Sequence, residues 1–206
     1  MSYFGDRVRP MTTSTAQQTD PRPLLRDALG WVRGLVDAVP TARYDDPTPC
    51  TGFDVRTLMA HVVGIVGRAN AAGTGVLPMS RPAVVEGIAD AELAATIGLA
   101  IDGLTPLWEN DDMLDTLIEV PWGTVPGRGV VWGYLNEALV HGWDLAVATG
   151  QDAEADPAAA EAALAAIVRF LPAEPRGGPV PFGPVVEPAA GAGPTERLAN
   201  WAGRSR

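Results

Sequence analysis

From Pro21 onward the chain alternates between stretches with apolar residues at three- and four-residue spacing and short breaks rich in Pro and Gly, a pattern that predicts packed amphipathic helices. Leu24, Ala28, Trp31 and Leu35 form one helical stripe, and Leu25, Leu29, Val32 and Val36 form a second beside it, so a first helix buried on a wide face is expected up to Pro40. The segment Tyr44 to Gly52, with Pro47 and Pro49, reads as a crossing loop. Asp54 is a suitable N-cap for a second helix, with Phe53 placed to pack on Leu58. Val55, Leu58, Met59, Val62, Ile65, Val66 and Ala69 give that helix a broad inward face, and Gly73 and Gly75 end it. Leu93, Ile97, Ile101, Leu104 and Trp108 predict a third helix. Leu117, Ile118 and Val120, followed by Trp122, Gly123, Thr124 and Val125, favour a small hairpin. A fourth helix is expected from about Val130 to Ala148, stopped by Gly150, with Val130, Tyr134, Glu137, His141 and Leu145 on one face. Pro157 opens a further Ala-rich helix through Leu171, Pro and Gly then dominate to Pro194, and Leu198 and Trp201 are placed to dock a last short turn.

The expected architecture is all-α: a four-helix bundle with a short β-hairpin insert and an irregular Pro/Gly-rich C-terminal tail. Residues 1–20, polar and without periodicity, are expected to be a flexible N-terminal extension, 21–171 the bundle domain, and 172–206 a tail packing on it. Apolar residues make up 47% of 206, enough for one core. A formal charge of -10 opposes binding to nucleic acid or to an anionic membrane surface. Charged residues or glycine interrupt every apolar run short of the roughly 20 residues needed to span a bilayer. Cys50 stands alone, which excludes an internal disulfide, and the first thirty residues hold no secretory h-region, so a cytoplasmic protein is expected.

The chain has two histidines, His61 and His141, both on inward helical faces. Glu137 precedes His141 by four positions, so the two project from one face a turn apart, and His61 can approach from a neighbouring helix. An inward Glu on an apolar face is costly without a compensating cation or donor. Two imidazoles and a carboxylate leave a coordination position open, as a catalytic zinc site requires, and zinc or nickel would accept this donor set. Other conspicuous residues have bland readings beside functional ones. Cys50 near a helix start is expected to be a buried loop cysteine, and sharing a metal with His61 would require its loop to fold back. Asp144 is as well suited to orienting His141 as to binding a backbone donor or an arginine. Trp122, Trp132 and Trp143 fit core packing at least as well as the mouth of a site, and Arg68 reads as solvated.

Two segments carry a family resemblance. Thr48-Pro49-Cys50-Thr51-Gly52-Phe53-Asp54 through His61, and Glu137-Ala138-Leu139-Val140-His141-Gly142-Trp143-Asp144 through Gly150, resemble the actinobacterial relatives of mycothiol-dependent maleylpyruvate isomerase within the DinB-like superfamily. Phe182-Gly183-Pro184 and Arg197 to Arg204 are similar to the ending of a short, single-domain branch. The resemblance implies a four-helix bundle holding a divalent metal on His61, Glu137 and His141. It also implies use of a low-molecular-weight thiol such as mycothiol, in S-transfer to, or isomerisation of, a small electrophilic substrate. The isomerase's own second domain is expected to have no counterpart here, so its reaction is not expected to carry over directly. The alternatives are a thiol-independent metal enzyme, acting as a hydrolase or a Lewis-acid catalyst, and a non-catalytic metal- or ligand-binding scaffold. A homodimer is compatible with these readings; the cofactor- and substrate-binding residues are not assigned by the sequence.

Overall fold

The computed structural model describes residues 20–120, 123–177 and 182–206, and the expected extension, apart from Asp20, lies outside the described residues. Four helices form the bundle: α1 (Arg22–Asp37), α2 (Val55–Gly73), α3 (Asp90–Leu104) and α4 (Gly127–Thr149). Their packing order around the bundle is α1, α4, α2, α3, so chain neighbours α1 and α2 lie diagonally, as do α3 and α4. Two further helices, α5 (Pro157–Ile167) and α6 (Pro194–Trp201), pack on each other and on α4. Strands β1 (Leu117–Val120) and β2 (Gly123–Pro126) pair antiparallel in the expected hairpin.

The helical stripes account for the core. Leu25, Leu29, Val32 and Val36 of α1 are buried with Ala28 and Leu35, and every apolar position expected to face inward on α2 is buried. On α2 the Asp54 side chain accepts from the Thr57 backbone N–H at 2.7 Å, fixing the helix start as a cap should. α4 is buried nearly all round because it has bundle helices on one side and α5 and α6 on the other, the position a helix apolar on all faces takes. Gly142 permits the tightest of these contacts, since a Cβ there would overlap the Trp31 ring of α1.

Three boundaries differ from the sequence expectation. α3 ends at Leu104 and continues to Trp108 as a 3₁₀ turn, because Pro106 has no N–H to donate to the carbonyl of Asp102. α5 ends at Ile167 rather than Leu171; just beyond it Arg169 and Phe170 shift to three-residue hydrogen bonds ahead of Pro172, while Leu171 stays buried. α4 begins at Gly127, three residues earlier than expected, since packing overrides the poor helix propensity of Gly127 and Gly129.

Much of the Pro/Gly-rich tail is fastened rather than loose. The Glu154 carboxylate accepts from the backbone N–H groups of Thr195 at 2.9 Å and Glu196 at 3.2 Å, capping α6 from outside. Arg176 donates to the carbonyls of Pro172, Gly183 and Trp201 and lies over the rings of Phe182 and Trp201. Leu198 is fully buried. Among the described residues, no helix is long and apolar enough to cross a membrane.

Candidate metal centre

α2 and α4 pack side by side, and this brings the three residues singled out from the sequence together. One ligand-type atom each from His61, Glu137 and His141 lies within 4.8 Å of the others. Oε2 of Glu137 is 3.2 Å from Nε2 of His141 and 3.9 Å from Nε2 of His61. The imidazole rings stand nearly perpendicular, at 85°, with centroids 4.7 Å apart. Phe53, just before the cap of α2, meets the His61 ring edge-on at 5.3 Å.

Each imidazole is oriented from behind. Nδ1 of His61 is 2.7 Å from the carbonyl oxygen of Ala83, which can only accept, so Nδ1 carries a proton and the Nε2 corner of the ring is turned toward Glu137. The close approach depends on Gly64, one turn after His61, where a Cβ would overlap the Ala83 carbonyl. Nδ1 of His141 is 3.0 Å from Oδ2 of the fully buried Asp144. Arg204, near the end of the tail, donates Nε to both Asp144 oxygens at 3.1 and 3.0 Å and Nη2 to Cys50 Sγ at 3.3 Å.

Asp144 therefore meets both a histidine and an arginine, so the two readings of it hold together. Cys50 is a half-buried loop residue, and its sulfur lies within 4.8 Å of ligand-type atoms of His141 and Asp144. The loop does fold back. Thr48 N–H donates to the Phe53 carbonyl and Val55 N–H to that of Asp46, and Gly52 sits at a φ of 86°, a left-handed turn conformation. A cation shared by Cys50, His141 and Asp144 is disfavoured, because the Arg204 guanidinium already lies between the sulfur and the carboxylate. Arg68 donates to the Arg81 carbonyl at the surface, and Trp143 is a core residue. Trp132 is partly buried against the core, and Trp122 lies outside the described residues.

The electrostatics favour a cation among these groups. Burial alone would raise the Glu137 carboxyl, yet the His141 imidazole at 3.2 Å and the His61 imidazole at 3.9 Å hold it well below the usual carboxylate range. Burial opposes charge on His141, but Asp144, Cys50 and Glu137 together raise its pKa well above the ordinary value. The Tyr134 phenol, one turn before Glu137, is pushed up by burial and by the Glu137 charge and so stays neutral. The side chains of Glu137 and His61 remain 25% and 14% exposed, so solvent reaches the cluster on one side.

The family model for the mycothiol maleylpyruvate isomerase N-terminal domain matches residues 25–146, a span that includes all three candidate ligands. The chain belongs to this family. An uncharacterized protein of Mycobacterium tuberculosis, found in two strains, is 30% identical over 159 residues, covering 77% of this chain and 84% of that protein. A crystal structure of the mycothiol-dependent maleylpyruvate isomerase superposes with a TM-score of 0.54 at 19% identity, covering 74% of this chain and 67% of that one. A histidine-to-alanine mutant of that enzyme gives 0.53. At this identity the structures support the DinB-like bundle as the fold.

Proposed function

We propose that this chain is a divalent-metal enzyme of the mycothiol-using type, with His61, Glu137 and His141 as the metal ligands. The observation that carries the reading is the convergence of the two Nε2 atoms on one Glu137 oxygen, with each Nδ1 tied to a separate acceptor. Second partners of this kind orient ligating histidines and set their basicity. The donor set fits a first-row dication, zinc first and nickel second, and three protein ligands leave a position for an exogenous group.

A dication bound there would favour the thiolate form of a small thiol at neutral pH. The chain's own residues supply the rest. His61 and His141 present fixed Nε2 atoms, Glu137 contributes negative charge, and the apolar side chains behind them keep water from the inner side. The partial exposure of Glu137 and His61 gives a small molecule its route of approach. The substrate class is a small electrophile that undergoes S-transfer or thiol-assisted isomerisation, in keeping with the activity for which the family is named.

The test is a zinc titration of metal-stripped protein against a competing chelator, followed by mycothiol consumption assays with a panel of small electrophiles. One zinc per chain and metal-dependent thiol consumption are expected. Absence of zinc uptake would remove the metal reading. Zinc uptake with no thiol turnover on any electrophile would leave the ligand set standing and transfer the reaction to water or Lewis-acid chemistry.

A further inference from the structure

The tail reaches the metal centre through Arg204, which lies beyond the family-matched segment. The backbone aims it there. After α6, Gly203 adopts a φ of 84°, its N–H bonds the Asn200 carbonyl at 3.0 Å, and the Arg204 N–H bonds the Ala199 carbonyl at 2.9 Å. This pair of bonds is a Schellman cap, which reverses the chain and projects the next side chain back along the helix. The Asn200 side chain donates to the Arg204 carbonyl at 3.0 Å and holds the reversed segment.

We infer that Arg204 is a positioning residue for His141, acting through Asp144, so that the proposed metal centre is complete only when the C-terminal tail is docked. The inference rests on the metal-centre reading above. Asp144 is fully buried and three residues from His141 on α4, and its contact with His141 engages Oδ2. Arg204 Nε touches both oxygens, and Nη2 ties the far end of the guanidinium to Cys50 Sγ on the loop before α2. One planar group thus bridges the loop before α2, helix α4 and the tail, and it holds the orientation of the carboxylate whose Oδ2 meets His141 Nδ1. With Nδ1 so held, Nε2 faces Glu137.

The experiment uses the full chain and four forms: Arg204→Lys, Arg204→Met, Asp144→Asn, and Asp144→Asn combined with Arg204→Met. Zinc affinity is measured by chelator competition, with thermal melting of the metal-free proteins in parallel. Arg204→Met should weaken zinc binding roughly 10- to 100-fold, the usual consequence of losing a partner behind a ligand. Arg204→Lys keeps the charge and loses the fork; it should melt close to wild type yet bind zinc about 10-fold more weakly. The double variant should lose no more affinity than Asp144→Asn alone, because both changes act on one path. If Arg204→Met fails to fold, Arg204→Lys and the double variant, which leaves no unpaired buried carboxylate, carry the test. Wild-type zinc affinity in folded Arg204→Lys and Arg204→Met, or losses that add in full across the double variant, would overturn the inference alone. A wild type that takes up no zinc would remove the metal reading and this inference with it.

Discussion

Replacing Gly64 by Ala tests the support behind His61 without touching a ligand. A Cβ on Gly64 would overlap the Ala83 carbonyl oxygen, with the carbonyl carbon at 2.7 Å and the Pro82 oxygen at 3.0 Å. These atoms are backbone, so the segment must retreat by something on the order of 1 Å, enough to stretch the 2.7 Å contact from His61 Nδ1 past useful hydrogen-bond length. Overpacking costs about 1–3 kcal/mol and the lost hydrogen bond about 1 kcal/mol. Alanine's better helix propensity returns about 1 kcal/mol. The balance is a net loss of roughly 1–3 kcal/mol, or about 3–10 °C in melting temperature for a chain of this size. Freed from Ala83, the His61 ring can turn, and zinc affinity should fall roughly 10- to 100-fold. Calorimetry on the metal-free protein and chelator competition on the same sample read the two effects. A variant that melts higher than wild type, as helix propensity alone predicts, and binds zinc equally well would refute the reasoning.

Replacing His61 or His141 by Ala should abolish stoichiometric zinc retention through gel filtration; full retention in both variants would contradict the ligand set. Glu137→Gln nearly preserves shape but removes the anion, so the protein should stay folded by circular dichroism while zinc binding weakens, and equal affinities would exclude Glu137 as a ligand. The pH dependence follows from the paired shifts at Glu137 and His141. The lowered Glu137 carboxyl contributes stability above its unfolded value of about 4.5 and loses it as pH falls. The raised His141 contributes below about 6.5 and loses its contribution as pH climbs through the folded value. The pair therefore stabilises the metal-free protein most between these limits. Zinc must displace the His141 proton, so zinc affinity should rise with pH through neutrality, and a pH-independent affinity would contradict the assignment.

The bundle and its three candidate ligands were legible because both rest on local periodicity. His61 falls between Leu58 and Ile65 on an apolar face, and Glu137 and His141 share a face with Tyr134 and Leu145, so burial of the stripe fixes where they point. The supporting groups were not legible. The Ala83 carbonyl belongs to an irregular loop, and the one trace it leaves in sequence is Gly64, a small residue one turn from His61. The approach of Cys50 to His141 and Asp144 depends on the turn at Gly52, which no local pattern around Cys50 signals. Arg204 and Asp144 are 60 residues apart, and their meeting depends on how α6 docks. Gly203 after a short helix signals the cap, but no local pattern says what the capped residue will touch.

The most direct measurement is a crystal structure of the zinc-loaded protein with the metal located by anomalous scattering. The account predicts one zinc per chain, bound by Nε2 of His61, Nε2 of His141 and the Glu137 carboxylate, with a further position held by solvent or thiol sulfur. A zinc held instead by Cys50 and Asp144, or no ordered metal near α2 and α4, would contradict it.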